Sequence, residues 1–104
     1  MRFYSEDKQN KVVCQTPTPG KQPTRIDRWK YDLIRMHIHG VLPIDGKGIP
    51  FKDLVRLVGE TLSNEEKSRL GSVIWYTTTV KLDLEVRGEI KRVVGISPQR
   101  LLKV

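Results

Sequence analysis

The chain has 104 residues, and 19 Lys+Arg against 12 Asp+Glu give it a formal net charge of +7; that is one domain's worth of sequence, with room for a single modest core and a charge that suits a polyanionic partner. Its one cysteine, Cys14, excludes an internal disulfide and a cysteine-based zinc site. Met1-Arg-Phe-Tyr-Ser-Glu-Asp-Lys8 lacks the apolar segment of a signal peptide, and no run reaches the roughly 18–20 apolar residues of a membrane span, so a soluble, cytoplasmic protein with no membrane contact is expected.

Residues 1–26 read as an N-terminal β arm. Arg2-Phe-Tyr-Ser-Glu6 and Lys11-Val-Val-Cys-Gln-Thr16 are β-prone runs separated by the polar turn Asp7-Lys-Gln-Asn10, which predicts a hairpin. Pro17, Pro19, Gly20 and Pro23 forbid regular structure, so 16–24 is expected to be an extended connection to the first helix. Asp27 is placed to cap that helix with its carboxylate, and Ile26 and Tyr31 occupy the two positions of a hydrophobic staple. Tyr31, Leu33, Ile34, Ile38 and Val41 form its apolar face, and Gly40 is expected to end it.

Pro43-Ile-Asp-Gly-Lys-Gly-Ile-Pro50 is turn chemistry. Phe51, Leu54, Val55, Val58 and Leu62 then make one helical stripe, predicting a second helix from Phe51 to about Leu62. Ser63-Asn-Glu-Glu66 matches a capping box, so another helix begins near Asn64; if Gly71 interrupts it, 64–70 is a short helix of its own. A longer helix follows over 72–87, with Gly88 where a left-handed C-terminal cap is needed. Residues 89–94 and 99–104 read as two strands joined through Gly95-Ile-Ser-Pro98.

Three main helices, a short strand-like element at Gly48-Ile49-Pro50 and a C-terminal hairpin follow the order of an α+β winged helix-turn-helix spanning 27–104. In that fold the third helix enters the major groove and the wing touches backbone or minor groove. From Arg87 to the end, five cations (Arg87, Lys91, Arg92, Arg100 and Lys103) face one acid, Glu89, as phosphate contacts require.

The turn Pro19-Gly20-Lys21, the aromatic pair Trp75-Tyr76 and above all the run Val80-Lys-Leu-Asp-Leu-Glu-Val-Arg-Gly88 carry a family resemblance. From about Cys14 to Val104 the chain resembles a small bacterial family of uncharacterised winged-helix proteins, differing at Ile74, where a second tryptophan is expected, and in a shorter, more basic turn before the helix. The resemblance implies the fold; the family carries no assigned activity, and DNA binding follows from it only by analogy.

On a helical wheel, Val73, Thr77, Val80 and Leu84 form the core stripe of the third helix, and Trp75, Leu82 and Val86 form a second, nearly opposite one. Either the N-terminal hairpin or the wing covers that second stripe, or it is a dimer or partner surface. The residues left for DNA are Ser72, Thr78 and Lys81 on the helix, with Lys91, Arg92 and Arg100 from the wing; Asp83 and Glu85 lie in the same polar strips and oppose groove reading. Arg92→Glu with Arg100→Glu is accordingly expected to weaken DNA binding and leave thermal stability nearly unchanged.

Other residues carry less. His37 and His39 stand about 200° apart on a helix, too far round to share a metal, so no metal or cofactor is expected. Cys14 has no activating base nearby, Thr77-Thr78-Thr79 has no partner base, and Gly46-Lys47-Gly48 lacks phosphate-loop spacing; no catalytic constellation stands in the chain, and an enzyme is not expected. Arg28-Trp29-Lys30 is a weak basic-aromatic patch. The expected function is binding of double-stranded DNA as a transcriptional regulator. The alternative is a winged-helix protein–protein or homodimerisation module using Trp75, Leu82 and Val86.

Overall fold

The computed structural model describes residues 10–95 and 98–104. The element order is β1 (Lys11–Cys14), β2 (Thr24–Asp27), α1 (Arg28–Val41), β3 (Ile49–Pro50), α2 (Phe51–Thr61), α3 (Asn64–Leu70), α4 (Val73–Val86), β4 (Ile90–Arg92) and β5 (Arg100–Lys103). Among the described residues the fold is thus α+β with four helices, where three main helices are expected, and two small antiparallel sheets. The fourth is α3, the short helix over 64–70 that Gly71 sets apart from α4; it is held by the full capping box of Ser63 and Glu66 and stopped by Gly71 at φ +98°.

β1 pairs with β2, placing Lys11 opposite Asp27 and Cys14 opposite Thr24. The proline-rich stretch is therefore the loop of this hairpin, where a simple extended connection was expected; the expected partner strand at 2–6 lies outside the described residues. Alternation along the pair turns Val12, Cys14 and Ile26 inward, and they join the same buried cluster as the helices. Asp27 does stand at the N-cap of α1, but its side chain makes no cap bond. Being the last residue of β2, it faces Lys11 across the hairpin and pairs with that ammonium instead. The first amide of α1 is satisfied by the hairpin backbone, Arg28 N–H donating to Asn10 O at 3.0 Å. Gly40 lies within the last turn, and Leu42 ends the helix.

Leu33, Ile34 and Ile38 of α1, Leu54 and Val58 of α2, Leu70, and Val80 and Leu84 of α4 fill the core, closed at one end by Ile90 and Leu101. α4 packs on α1, α2, α3, β1 and β4, which makes it the central element. Its C-terminus is a Schellman motif: Glu89 N–H donates to Leu84 O at 2.9 Å and Gly88 N–H to Glu85 O at 3.2 Å, with Gly88 at φ +78°. The chain then enters the second sheet, whose strand order is β3-β5-β4. β5 sits centrally, Ile49 opposite Leu101 on one side and Arg92 opposite Leu101 on the other.

No helix among the described residues is long and apolar enough to cross a membrane.

Candidate nucleic-acid interface

α4 positions most of the candidate residues, and its polar side chains divide by what they bond. Ser72 caps the helix, its hydroxyl accepting from Trp75 N–H at 3.1 Å. Thr78 donates to Ile74 O at 2.7 Å and stays partly exposed. Lys81 is nearly buried: its side chain is 7% exposed, and Nζ pairs with Glu85 at 2.9 Å and donates to Gln99 Oε1 at 2.7 Å. Burial pulls the Lys81 ammonium below its usual range, and the Glu85 carboxylate opposes that fall.

The cations of the β4–β5 hairpin are also partly occupied. Arg92 pairs with the same Glu85, whose side chain is 8% exposed. Arg100 donates to Lys47 O at 2.8 Å and Gly48 O at 3.0 Å, fastening the loop before β3 to β5. Lys91 is exposed and its ammonium has no bonded partner among the described residues, and the same holds for the ammonium groups of Lys47 and Lys52. The fold therefore brings Lys81 and Arg92 together on Glu85, while Ser72 lies nine residues from Lys81, about 13 Å along the axis. Lys47 and Lys52 escaped the sequence reading because they flank β3, far from the β4–β5 hairpin in sequence but joined to it by the β3–β5 pairing.

A cleft of about 520 Å³ opens between the start of α2, the middle of α4 and the end of the β4–β5 connection, lined by Pro50, Phe51, Lys52, Thr78, Lys81, Pro98 and Gln99. The Lys81 ammonium stands 5.3 Å from the centre of the Phe51 ring. α2 begins here after Pro50 with no side-chain cap.

The second stripe of α4 is graded. Leu82 is half-buried and, with Thr79, lines a groove of about 280 Å³ against the β1–β2 loop. Trp75 and Val86 are 46% and 47% exposed, and Ile74 beside them is 60% exposed. Trp75 meets Tyr76 edge-to-face at 4.8 Å, and Lys30 stands over the rings of Tyr76 (4.7 Å) and Trp29 (5.5 Å) while donating to Leu70 O. Within the Arg28-Trp29-Lys30 patch, Lys30 is thus engaged in holding α1 to the α3–α4 junction, while Arg28 donates to Asn10 Oδ1 at 2.8 Å beside the hairpin.

The acids that opposed groove reading do not face solvent. Asp83 is fully buried and takes Tyr31 Oη–H at 2.5 Å, Gln15 N–H at 2.9 Å and Arg87 at 2.5 Å. Burial pushes the neighbouring Cys14 thiol up to about 11, with the Asp83 charge adding to the rise, so at neutral pH it is a protonated core residue. His37 bonds Thr61 of α2 and His39 bonds Glu89, so the two rings serve different elements. No cluster of three metal-ligating side chains occurs among the described residues.

The geometry defines a small α+β protein with a central helix running into a basic antiparallel sheet. The chain belongs to a family of unknown function (DUF6958), whose family model matches residues 11–101. No curated protein and no solved structure matches it.

Proposed function

We propose that this chain is a winged-helix domain that binds double-stranded DNA non-covalently, with the β4–β5 hairpin as wing and α4 in the place of the recognition helix. The observation that carries the reading is the strand order β3-β5-β4: a short strand before α2 pairs with the last strand, and the helix before the hairpin feeds directly into it. This is the arrangement that sets a helix and a wing side by side on one duplex. α3 lengthens the turn between α2 and α4 without changing that order.

The charge distribution supports a backbone binder more than a base reader. Lys47, Lys52 and Lys91 are exposed cations free to neutralise phosphates, whereas Lys81 is buried against Glu85 and Arg92, though exposed, is paired with the same carboxylate. The outer face of α4 offers Thr78 as its polar contact beside Ile74 and Trp75. Recognition is accordingly dominated by phosphate, with a steep dependence on salt.

Fluorescence anisotropy with random-sequence duplex DNA at low salt tests this: the expected result is binding that falls linearly in log–log form as salt rises, and no binding at low salt rejects it. A second reading, a protein-binding or self-associating module, is favoured by the exposed Ile74, Trp75 and Val86. Sedimentation equilibrium tests its self-associating form, since a monomer at high concentration removes the homodimer.

A further inference from the structure

We propose that the cleft between the start of α2 and the middle of α4 binds a small organic anion with a planar apolar body, of the aromatic carboxylate class. Its walls are of two kinds. Pro50 and the Phe51 ring give an apolar face on one side, and Lys52, Lys81, Thr78 and Gln99 give polar groups with no carboxylate among the lining residues. The volume, about 520 Å³, lies in the range of small-molecule sites, which typically run from about 300 to 1,000 Å³.

The ionic count around Lys81 is unbalanced. Glu85 alone answers both Lys81 and Arg92, and Lys52 adds a cation at the mouth with no partner among the described residues. An ammonium has three donors. Lys81 places two, on Glu85 and Gln99, and the described residues offer no acceptor for the third. A carboxylate entering beside Lys81 would accept that donor in surroundings where water screens little, while its ring lay along Phe51 and Pro50. A bare inorganic anion would meet the charge and leave the apolar wall uncovered. The inference does not rest on DNA binding, because occupancy is measured on the free protein.

The test is an NMR titration of the ¹⁵N-labelled full chain with 2-naphthoate, run beside the neutral 2-naphthalenemethanol and inorganic phosphate. Expected are saturable shifts at Phe51, Lys52, Thr78 and Gln99 with 2-naphthoate, and binding of the neutral alcohol weaker by about tenfold, the scale of one charge-assisted hydrogen bond. Absence of saturable shifts with 2-naphthoate overturns the proposal, as does equal affinity for the alcohol or for phosphate. Lys81→Met is expected to weaken 2-naphthoate by about tenfold on the same grounds. Should that variant not fold, Lys52→Gln and Thr78→Val, at accessible positions, must each weaken binding, and unchanged affinity in either rejects the site.

Discussion

The phenol of Tyr31 on α1 donates to Asp83 Oδ2 on α4 at 2.5 Å inside the core. The same carboxylate accepts Gln15 N–H, just past β1, and pairs with Arg87 at the helix end, so one buried charge ties the hairpin and two helices together. Burial raises the Tyr31 phenol above its usual range, and its bond to Asp83 adds to the rise. Asp83→Ala leaves the Tyr31 hydroxyl and the Gln15 amide without their acceptor and is expected to cost about 2–4 kcal/mol in urea unfolding. Tyr31→Phe removes one donor and is expected to cost about 1 kcal/mol. Equal and negligible losses would show that the carboxylate is not the tie.

Thr77 gives the opposite case. It is fully buried on α4 and its hydroxyl has no hydrogen-bond partner among the described residues. Desolvating that group without a bond is unfavourable, and valine keeps the branched shape while removing the polar atom. Thr77→Val is expected to raise stability by about 1 kcal/mol, read from the urea midpoint at unchanged slope. A loss of stability would mean that the hydroxyl is bonded in solution.

The local elements were legible from the chain because their causes are local. Ser63 and Glu66 lie three apart and make the capping box, Gly71 separates α3 from α4, and Gly88 supplies the left-handed residue of the Schellman motif. The destiny of the polar side chains on α4 was not legible. A helical wheel assigns Lys81 and Asp83 to solvent-facing strips, yet both are buried, because their partners are delivered by other parts of the fold. Tyr31 reaches Asp83 from 52 residues away and Gln15 from 68. The pairing of β1 was hidden for the same reason: Lys11–Cys14 finds its partner across the proline-rich loop.

Two glycines with positive φ separate steric crowding from backbone preference. At Gly48, φ +68°, an added Cβ would stand 2.5 Å from the Leu101 carbonyl oxygen, where β3 meets β5. At Gly88, φ +78°, the added atom would meet open space. Gly88→Ala is expected to cost about 1–2 kcal/mol from the left-handed conformation alone. Gly48→Ala carries that cost and a backbone clash, so its thermal midpoint should fall clearly further; equal midpoints would mean that the β3–β5 pairing yields freely.

Glu89 links the end of α1 to the second sheet, accepting from His39 at 2.7 Å and Arg35 at 2.8 Å. Burial pushes its carboxyl upward, but the hydrogen bonds and charges of His39 and Arg35 outweigh this and hold it below the usual 4.5. A carboxylate depressed in the folded state adds stability that is complete above its unfolded value and disappears as pH falls through the folded one. Wild type should therefore lose stability relative to Glu89→Gln as pH drops below 4.5. Parallel stability curves for the two proteins across the acid range would remove Glu89 as the cause.

The cations of the β4–β5 hairpin divide into structural and available groups, which revises the expectation that reversing Arg92 and Arg100 leaves thermal stability nearly unchanged. Arg92 answers a nearly buried Glu85, and Arg100 holds two carbonyls of the loop before β3. Arg92→Glu sets a second carboxylate beside Glu85 and is expected to cost about 1–2 kcal/mol, reduced by the partial exposure of the arginine. Lys91 is exposed with no bonded partner among the described residues, so Lys91→Gln should change stability by less than about 0.5 kcal/mol. If the hairpin lies on phosphate, the same substitution should lower the salt slope of DNA binding by about 1. Lys91→Gln is thus the cleaner probe of the wing, because any loss of binding in Arg92→Glu is mixed with loss of fold. An unchanged salt slope in a fully folded Lys91→Gln protein would take β4 off the DNA.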